Sequence, residues 1–485
     1  MKRLSIRTVL ALLAVMLVVA SCDLVEESDT DDAPTAVVIT STPTEPDGAE
    51  PTETQADEDP TATLPANSDP TATEAEPDAS PTVPEPDGDP TATSTDTPES
   101  DNSARDEIES IEADVAELRG LDVLEELNVQ IIDRQELAQR VETILQDDYS
   151  PEEARVDTLT YWLLRLIPDE SLDLYQLQVD LLSEQIAGYY DPETGELVVV
   201  TQDGTLSVTD KVTMAHEIVH ALQDQHFDLV EVDELATDID HSAAITALIE
   251  GDATLSMTEY MFGYLDPMEI ATLITESFTA GDTEVLDNAP AYISGGLLFS
   301  YEAGQAFATE LYNDGGFDAI NEAFEDPPAS TEQILHPEKY LGPERDNPIV
   351  VDNPDVSGDL GEDWELLRGD ALGEWDIQIM LEDNGVNAQD AATAAAGWGG
   401  SWFDIYESDA GAVALLTTRW DTDEDASEFS DALLRSIDGG SPDGGIWSES
   451  GREVSVVASG DTVVMISGTD REAVETILAV IEQTV

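Results

Sequence analysis

Residues 211–225 read KVTMAHEIVHALQDQ. Val212, Ile218, Val219 and Leu222 place apolar side chains on several faces of a helix, so the stretch reads as a buried one. His216 and His220 are four residues apart, which at about 100° per residue leaves them roughly 40° apart on one face. Two imidazoles so placed can ligate one metal ion, with Glu217 beside it to work on a water. Two histidines and a glutamate inside such a helix are costly to bury without partners, and a metal supplies one.

The sequence on either side fits this reading. Before the helix, IAGYY (186–190), the turn DPETG (191–195) and ELVVVT (196–201) read as a β-hairpin. A polar turn, QDGTLSVTD (202–210), then leads into the helix. After it, HSAAITALIEGDATLSMTEYMFGYL (241–265) reads as a second helix, rich enough in Ala to approach a neighbour closely. A catalytic zinc usually has three protein ligands and one open position. Two residues compete for the third place. His226 follows in HEIVHALQDQH, but a helix that continues past Gln223 turns it well away from the His216/His220 face. Glu250, in ALIEGDAT, is preferred, because Ala243 and Ala247 precede it by about two turns and one turn and leave room for close helix packing.

A downstream helix that supplies a Glu resembles the arrangement of the gluzincin metallopeptidases. The run AHEIVHALQDQHFDL, then ALIEGDA, YEAGQAF and STEQILHPEKY, is similar to a group of bacterial HExxH lipoproteins related to gluzincins of the peptidase MA type. The likeness spans roughly Ile186 to Tyr340, and HExxH and EGDA are its specific parts. It implies a zincin-like fold, a zinc cofactor held by His216, His220 and Glu250, and Glu217 as the catalytic base that activates water for peptide hydrolysis. A metal there lowers the pKa of water and polarises a carbonyl. The developing oxyanion needs a further donor. His336, Tyr340 and Tyr301 are the candidates. Asp224 and Asp252 are candidates for orienting the ligand histidines. The strand ELVVVT is expected to receive a peptide or protein substrate by edge pairing.

The chain opens MKRLSIRTVLALLAVMLVVASC. Lys2, Arg3 and Arg7 precede an unbroken apolar run from Val9 to Ala20, which is too short to span a bilayer as a helix but suits a secretory signal. Val19-Ala20-Ser21-Cys22 resembles the bacterial lipobox, which implies cleavage before Cys22 and a lipid on its sulfur. Cys22 is the one cysteine of the chain, so no intramolecular disulfide forms, and lipidation accounts for a lone cysteine in an exported protein. The expected location is extracytoplasmic, anchored to the cell membrane by lipid.

Residues 23–103 are rich in Pro, Thr, Asp, Glu and Ala and read as a disordered acidic linker. The whole chain carries 108 acidic and 17 basic residues, a formal net charge of −91. Of these, 85 acidic and 14 basic residues follow Ser103, a net of −71. Such a surface repels nucleic acid, so none is expected as a partner. It is consistent equally with a high-salt habitat, where counter-ions screen self-repulsion, and with tuning for solubility alone.

Helical periodicity is predicted from Ala104, over Arg134 to Gln146, from the Ser150-Pro151-Glu152-Glu153 cap to Pro168, and over Leu172 to Gln185. The polar stretch Asp346 to Gly361 marks a boundary. Beyond it a helix near Ala371 to Glu382, strands WFDIYES and GAVALLTTRW, a helix from Asp423 to Ser436, strands near Val454 and Val463 and a last helix REAVETILAVIEQTV are predicted. The expected class is α+β: a mainly helical zincin-like domain (104–355) with a small sheet beside the HExxH helix, then a C-terminal α+β domain (356–485). The latter contains no His and no Cys, and no catalytic role is assigned to it. A surface binding lipoprotein that keeps the zincin fold without catalysis is the alternative to a zinc metallopeptidase.

Overall fold

The computed structural model describes residues 99–185, 188–201, 205–279, 284–438 and 440–484. The signal segment, Cys22 and the linker up to residue 98 lie outside the described residues. The first part of the chain runs α1 (Glu99–Arg119), β1 (Asn128–Ile132), α2 (Arg134–Asp148), α3 (Pro151–Leu163), α4 (Leu174–Gln185), β2 (Gly188–Asp191), β3 (Glu196–Val200), α5 (Val208–Phe227) and α6 (Leu229–Asp233). It continues α7 (Ile239–Tyr264), α8 (Pro267–Thr279), α9 (Glu284–Asn288), α10 (Ala291–Gly315), α11 (Phe317–Glu325), α12 (Thr331–Leu335), α13 (Pro337–Leu341) and α14 (Ser357–Leu360). The last part is β4 (Glu365–Asp370), α15 (Glu374–Asp383), α16 (Ala388–Ala395), β5 (Trp398–Ser408), β6 (Gly411–Trp420), α17 (Asp423–Ser436), β7 (Ile446–Glu449), β8 (Arg452–Ser459), β9 (Thr462–Gly468) and α18 (Arg471–Thr484). The class is α+β.

The first sheet has three strands in the order β1–β3–β2. β2 and β3 form the expected hairpin, with Tyr190 opposite Leu197. β1 adds on the other side, parallel to β3, with Asn128 opposite Glu196 and Ile132 opposite Val200. β3 is therefore central, and Leu197, Val198 and Val199 are buried. The expectation that ELVVVT pairs with substrate as an edge is corrected here: both of its edges are already paired within the chain. A strand covered on both faces needs a continuous apolar run rather than alternation, and LVVV supplies it.

Helix ends are set by local chemistry. Ser150 accepts from the Glu153 N–H while Glu153 accepts from the Ser150 N–H, and Pro151 occupies the first turn of α3. Ser207 and Asp210 make the same reciprocal pair at the start of α5. At its far end Asp228 turns left-handed (φ 56°), which stops α5, and its side chain caps α6. α5 packs under the first sheet and against α1 and α7.

The closest helix crossing is that of α7 with α10. A Cβ placed on Gly304 would lie 2.2 Å from the Ala247 carbonyl oxygen, and one on Gly251 would lie 2.1 Å from the Gly304 carbonyl oxygen. No side chain larger than hydrogen fits at either glycine, so backbone meets backbone. Glu250 is the neighbour of this contact, which fixes the depth at which it enters the core.

The second sheet is antiparallel throughout, in the order β4–β5–β6–β9–β8–β7. Ala412, Ala414 and Leu416 of β6, with Val463 and Met465 of β9, face α15, α16 and α17. Val413, Leu415, Val464 and Ile466 face α18. This two-residue period sends alternate side chains into two different cores. Trp162, Leu163, Leu164, Leu166 and Ile167, from the end of α3 and the turn after it, complete the first of these cores. Arg165, left-handed at φ 64° and buried, donates to Glu449 at 2.7 Å and to Ser436. Among the described residues, no helix is long and apolar enough to cross a membrane.

Candidate metal centre

α5 and α7 cross so that His216, His220 and Glu250 meet inside the protein, and the three are buried. His216 Nε2 lies 3.0 Å from His220 Nε2 and 3.1 Å from Glu250 Oε2. His220 Nε2 lies 3.5 Å from the same oxygen. Donors at about 2.0–2.1 Å from a tetrahedral zinc stand roughly 3.3 Å apart. The three ligand atoms thus have the mutual spacing of three corners of such a shell.

Hydrogen bonding alone leaves this cluster short of partners. Glu250 Oε1 and His216 Nδ1 are buried without a hydrogen bond. An unmet buried polar atom costs about 1–3 kcal/mol, more for a charged group. A cation between the three side chains offsets part of that cost at the carboxylate, so the donor set fits zinc. Burial lowers the His216 pKa. Burial also opposes a charge on His220, but the carboxylates of Glu250 and Glu217 outweigh it and raise its pKa to about 9. The same histidines hold Glu250 below its ordinary value despite burial.

Glu217, about 60° round α5 from His220, is turned toward β2. Its Oε2 accepts from the Tyr190 N–H of β2 at 2.9 Å, and burial pushes its pKa up to about 8. It shares no ligand contact with the three-residue cluster, as befits a base rather than a ligand. The outer strand beside the centre is therefore β2, whose Tyr190 N–H faces away from β3 and is held by Glu217.

The remaining sequence candidates separate clearly. His226 is exposed near the end of α5 and meets the Asp122 carbonyl oxygen at 2.8 Å, far round the helix from the cluster. His336 pairs with Glu374 at 2.9 Å, and the Tyr340 hydroxyl donates to the Asp326 carbonyl at 2.9 Å, so neither faces the centre. Tyr301, on α10, does: its ring lies 6.1 Å from that of His216. Asp224 accepts from the Tyr190 hydroxyl at 2.6 Å and from the Leu229 N–H, so it orients β2 rather than a histidine. Asp252 reaches the histidines only through an intermediary, Gln223, which donates to it at 2.8 Å while its oxygen lies 2.9 Å from His220 Nδ1. Neither Gln223 nor Arg119, which donates to Asp252 at 2.7 Å, was singled out from the sequence. The signal for Gln223 was its place one turn after His220; nothing local pointed to Arg119.

A second acidic group, Glu332, Asp346 and Asp421, is also close enough to hold an ion. The Lys339 ammonium already stands among these carboxylates, at 2.6, 2.9 and 3.3 Å. Its own positive charge takes the place of a metal.

Among known families, the model described as "Domain of unknown function (DUF8575)" matches residues 365–478. That span runs from β4 into α18. Among curated proteins none matches. One solved structure is similar, described as a "putative hydrolase with a novel fold" from Chloroflexus aurantiacus, with 18% identity and a TM-score of 0.34 over 50% of this chain and 88% of that one. At that score the likeness carries no argument about this chain. The family match itself falls wholly outside the segment that brings His216, His220 and Glu250 together.

Proposed function

We propose that the protein is a membrane-anchored, extracytoplasmic zinc metallopeptidase of gluzincin type that hydrolyses peptide bonds. The observation that supports this best is the meeting of two imidazole nitrogens and one carboxylate oxygen at 3.0–3.5 Å, with Glu217 on the same helix. His216, His220 and Glu250 would hold zinc. Bound there, zinc supplies Lewis acidity toward a carbonyl and makes water acidic near neutral pH. Glu217 takes the proton of the attacking water and passes it to the leaving amine. Of the three candidates for a donor to the developing oxyanion, Tyr301 is the one whose ring lies near His216. The β2 edge lies where an extended peptide backbone could align.

Burial of all four site residues favours a second reading. Structural metal sites are closed, whereas catalytic ones keep a position open. A closed centre suits a binding lipoprotein in which metal only holds α5 and α7 together. Glu217→Gln separates the two, because it keeps size and hydrogen bonding but removes the base. For the peptidase, this variant should hold zinc as wild type does while its cleavage of a diverse peptide library drops by about 10²-fold or more. Zinc content is read by metal analysis and cleavage by mass spectrometry. Equal cleavage by both proteins at equal zinc would refute the hydrolytic mechanism. Zinc in both without cleavage by either would favour the structural reading.

A further inference from the structure

His220 is held from behind by a buried chain of groups that crosses three helices. Gln223 Nε2 faces two acceptors, the Asp252 carboxylate at 2.8 Å and the Ile249 carbonyl at 3.1 Å. Its amide orientation is thereby fixed, since only the NH₂ end can satisfy both. The amide oxygen then faces His220 Nδ1 at 2.9 Å, so Nδ1 must carry a proton and donate. That leaves His220 Nε2 as the ring nitrogen aimed at His216 and Glu250. Asp252 in turn accepts from Arg119 Nε at 2.7 Å on its other oxygen. Arg119 also donates to Asn321 at 2.8 Å, and its guanidinium lies 4.6 Å from the centre of the Phe317 ring. Gln223, Asp252 and Arg119 are all fully buried.

We propose that Arg119, Asp252 and Gln223 form a positioning relay that fixes the ring orientation and tautomer of His220 for metal binding. This rests on the zinc reading above. The logic is one of charge and polarity. Asp252 buried alone would be an uncompensated carboxylate; Arg119 neutralises it. Neutralised, it fixes the Gln223 amide, and the amide selects the Nδ1–H form of His220. Groups behind a ligand histidine commonly set its orientation and basicity, and their loss typically costs 10- to 100-fold in metal affinity. The relay also explains why α1 is part of the centre although it supplies no ligand. Its last residue closes the chain of hydrogen bonds.

A reversal of polarity tests the relay. Gln223→Glu sets a carboxylate against Asp252, and the two repel. Adding Asp252→Asn restores a donor facing that carboxylate, while the Asn oxygen still accepts from Arg119; the Ile249 carbonyl alone keeps an acceptor opposite it. Zinc affinity by chelator competition should fall about 10- to 100-fold in Gln223→Glu and be regained in large part in the double variant. The visible spectrum of the Co²⁺-loaded protein should be altered in the single variant and recovered in the double one. Gln223→Met, close in shape but apolar, should also weaken zinc, and serves if Gln223→Glu fails to fold. A role in packing alone predicts no rescue by the second substitution. If wild type binds zinc and both Gln223 variants bind it equally tightly with unchanged Co²⁺ spectra, the relay is wrong while the metal centre stands. If wild type binds no zinc, the metal reading itself falls, and the relay with it.

Discussion

Glu250 and His226 show what a sequence can say about single residues. Both were eligible as third ligand by type. Geometry on one helix disfavoured His226, because α5 runs on to Phe227 and carries it away from the face of His216 and His220. The structure places Glu250 Oε2 3.1 Å from His216 and sends His226 to the Asp122 carbonyl. If zinc is bound as proposed, Glu250→Ala should lose it on mild dialysis, and His226→Ala should retain about one equivalent. Metal analysis of the two dialysed variants checks this, and the opposite result would exchange their roles. Local spacing nominated His216, Glu217 and His220, and room for close helix packing nominated Glu250, which the fold sets beside the two histidines. Neither signal reached Arg119, whose partner Asp252 lies 133 positions away. A contact of that range leaves no periodicity to read. His336 and Tyr340 were drawn into the site by chemical type, and long-range partners, Glu374 and Asp326, take them out of it.

At the scale of elements, those with a cap, a turn or a clear period were legible and those without were not. α3 carries a capping box and Pro at its start, and α5 follows a clear hairpin, so their positions follow from the residues. β1 was missed because Asn128–Ile132 is a five-residue strand, NVQII, with no turn linking it to its partner. It pairs with β3 in parallel across a long connection, and only the fold reveals that. Missing β1 is also what made β3 look like an edge. β4 and β7 are short edge strands whose burial alternates poorly, and α16 is an Ala-rich helix of eight residues. The Ala content of α7 did foretell a close neighbour, and the partner surface proved to be Gly304. Gly304→Val should push α7 and α10 apart. Overpacking at such a crossing costs roughly 1–3 kcal/mol, so the thermal midpoint should drop by several degrees in a melt followed by circular dichroism. An unchanged midpoint would mean that the crossing relaxes freely.

The molecule as a whole combines the α+β body with a terminal segment that only sequence can describe. The proposed anchor is Cys22, in VASC at positions 19–22. In a bacterial host, wild-type protein should incorporate a fatty-acid analogue and sediment with membranes. Cys22→Ser should do neither, and equal incorporation by both would end the anchoring proposal. Among the described residues no helix is long and apolar enough to cross the bilayer. The acidic balance belongs to this scale as well. With 14 basic residues after Ser103, most carboxylates have no cation to pair with, and the buried Arg119 and Arg165 are used in ion pairs with the distant Asp252 and Glu449.

Trp162 to Ile167 fill part of the core built on β5, β6 and β9. These residues are synthesised some 230 positions or more before the strands that shelter them, and the Arg165 bond to Glu449 spans 284 positions. Until these later elements are in place they lack most of their native core. Order in this segment therefore depends on contacts made across a long sequence separation, which slow folding. If the chain is exported in extended form, as the proposed signal implies, these apolar residues stay uncovered until the later strands emerge, an interval in which aggregation competes with folding.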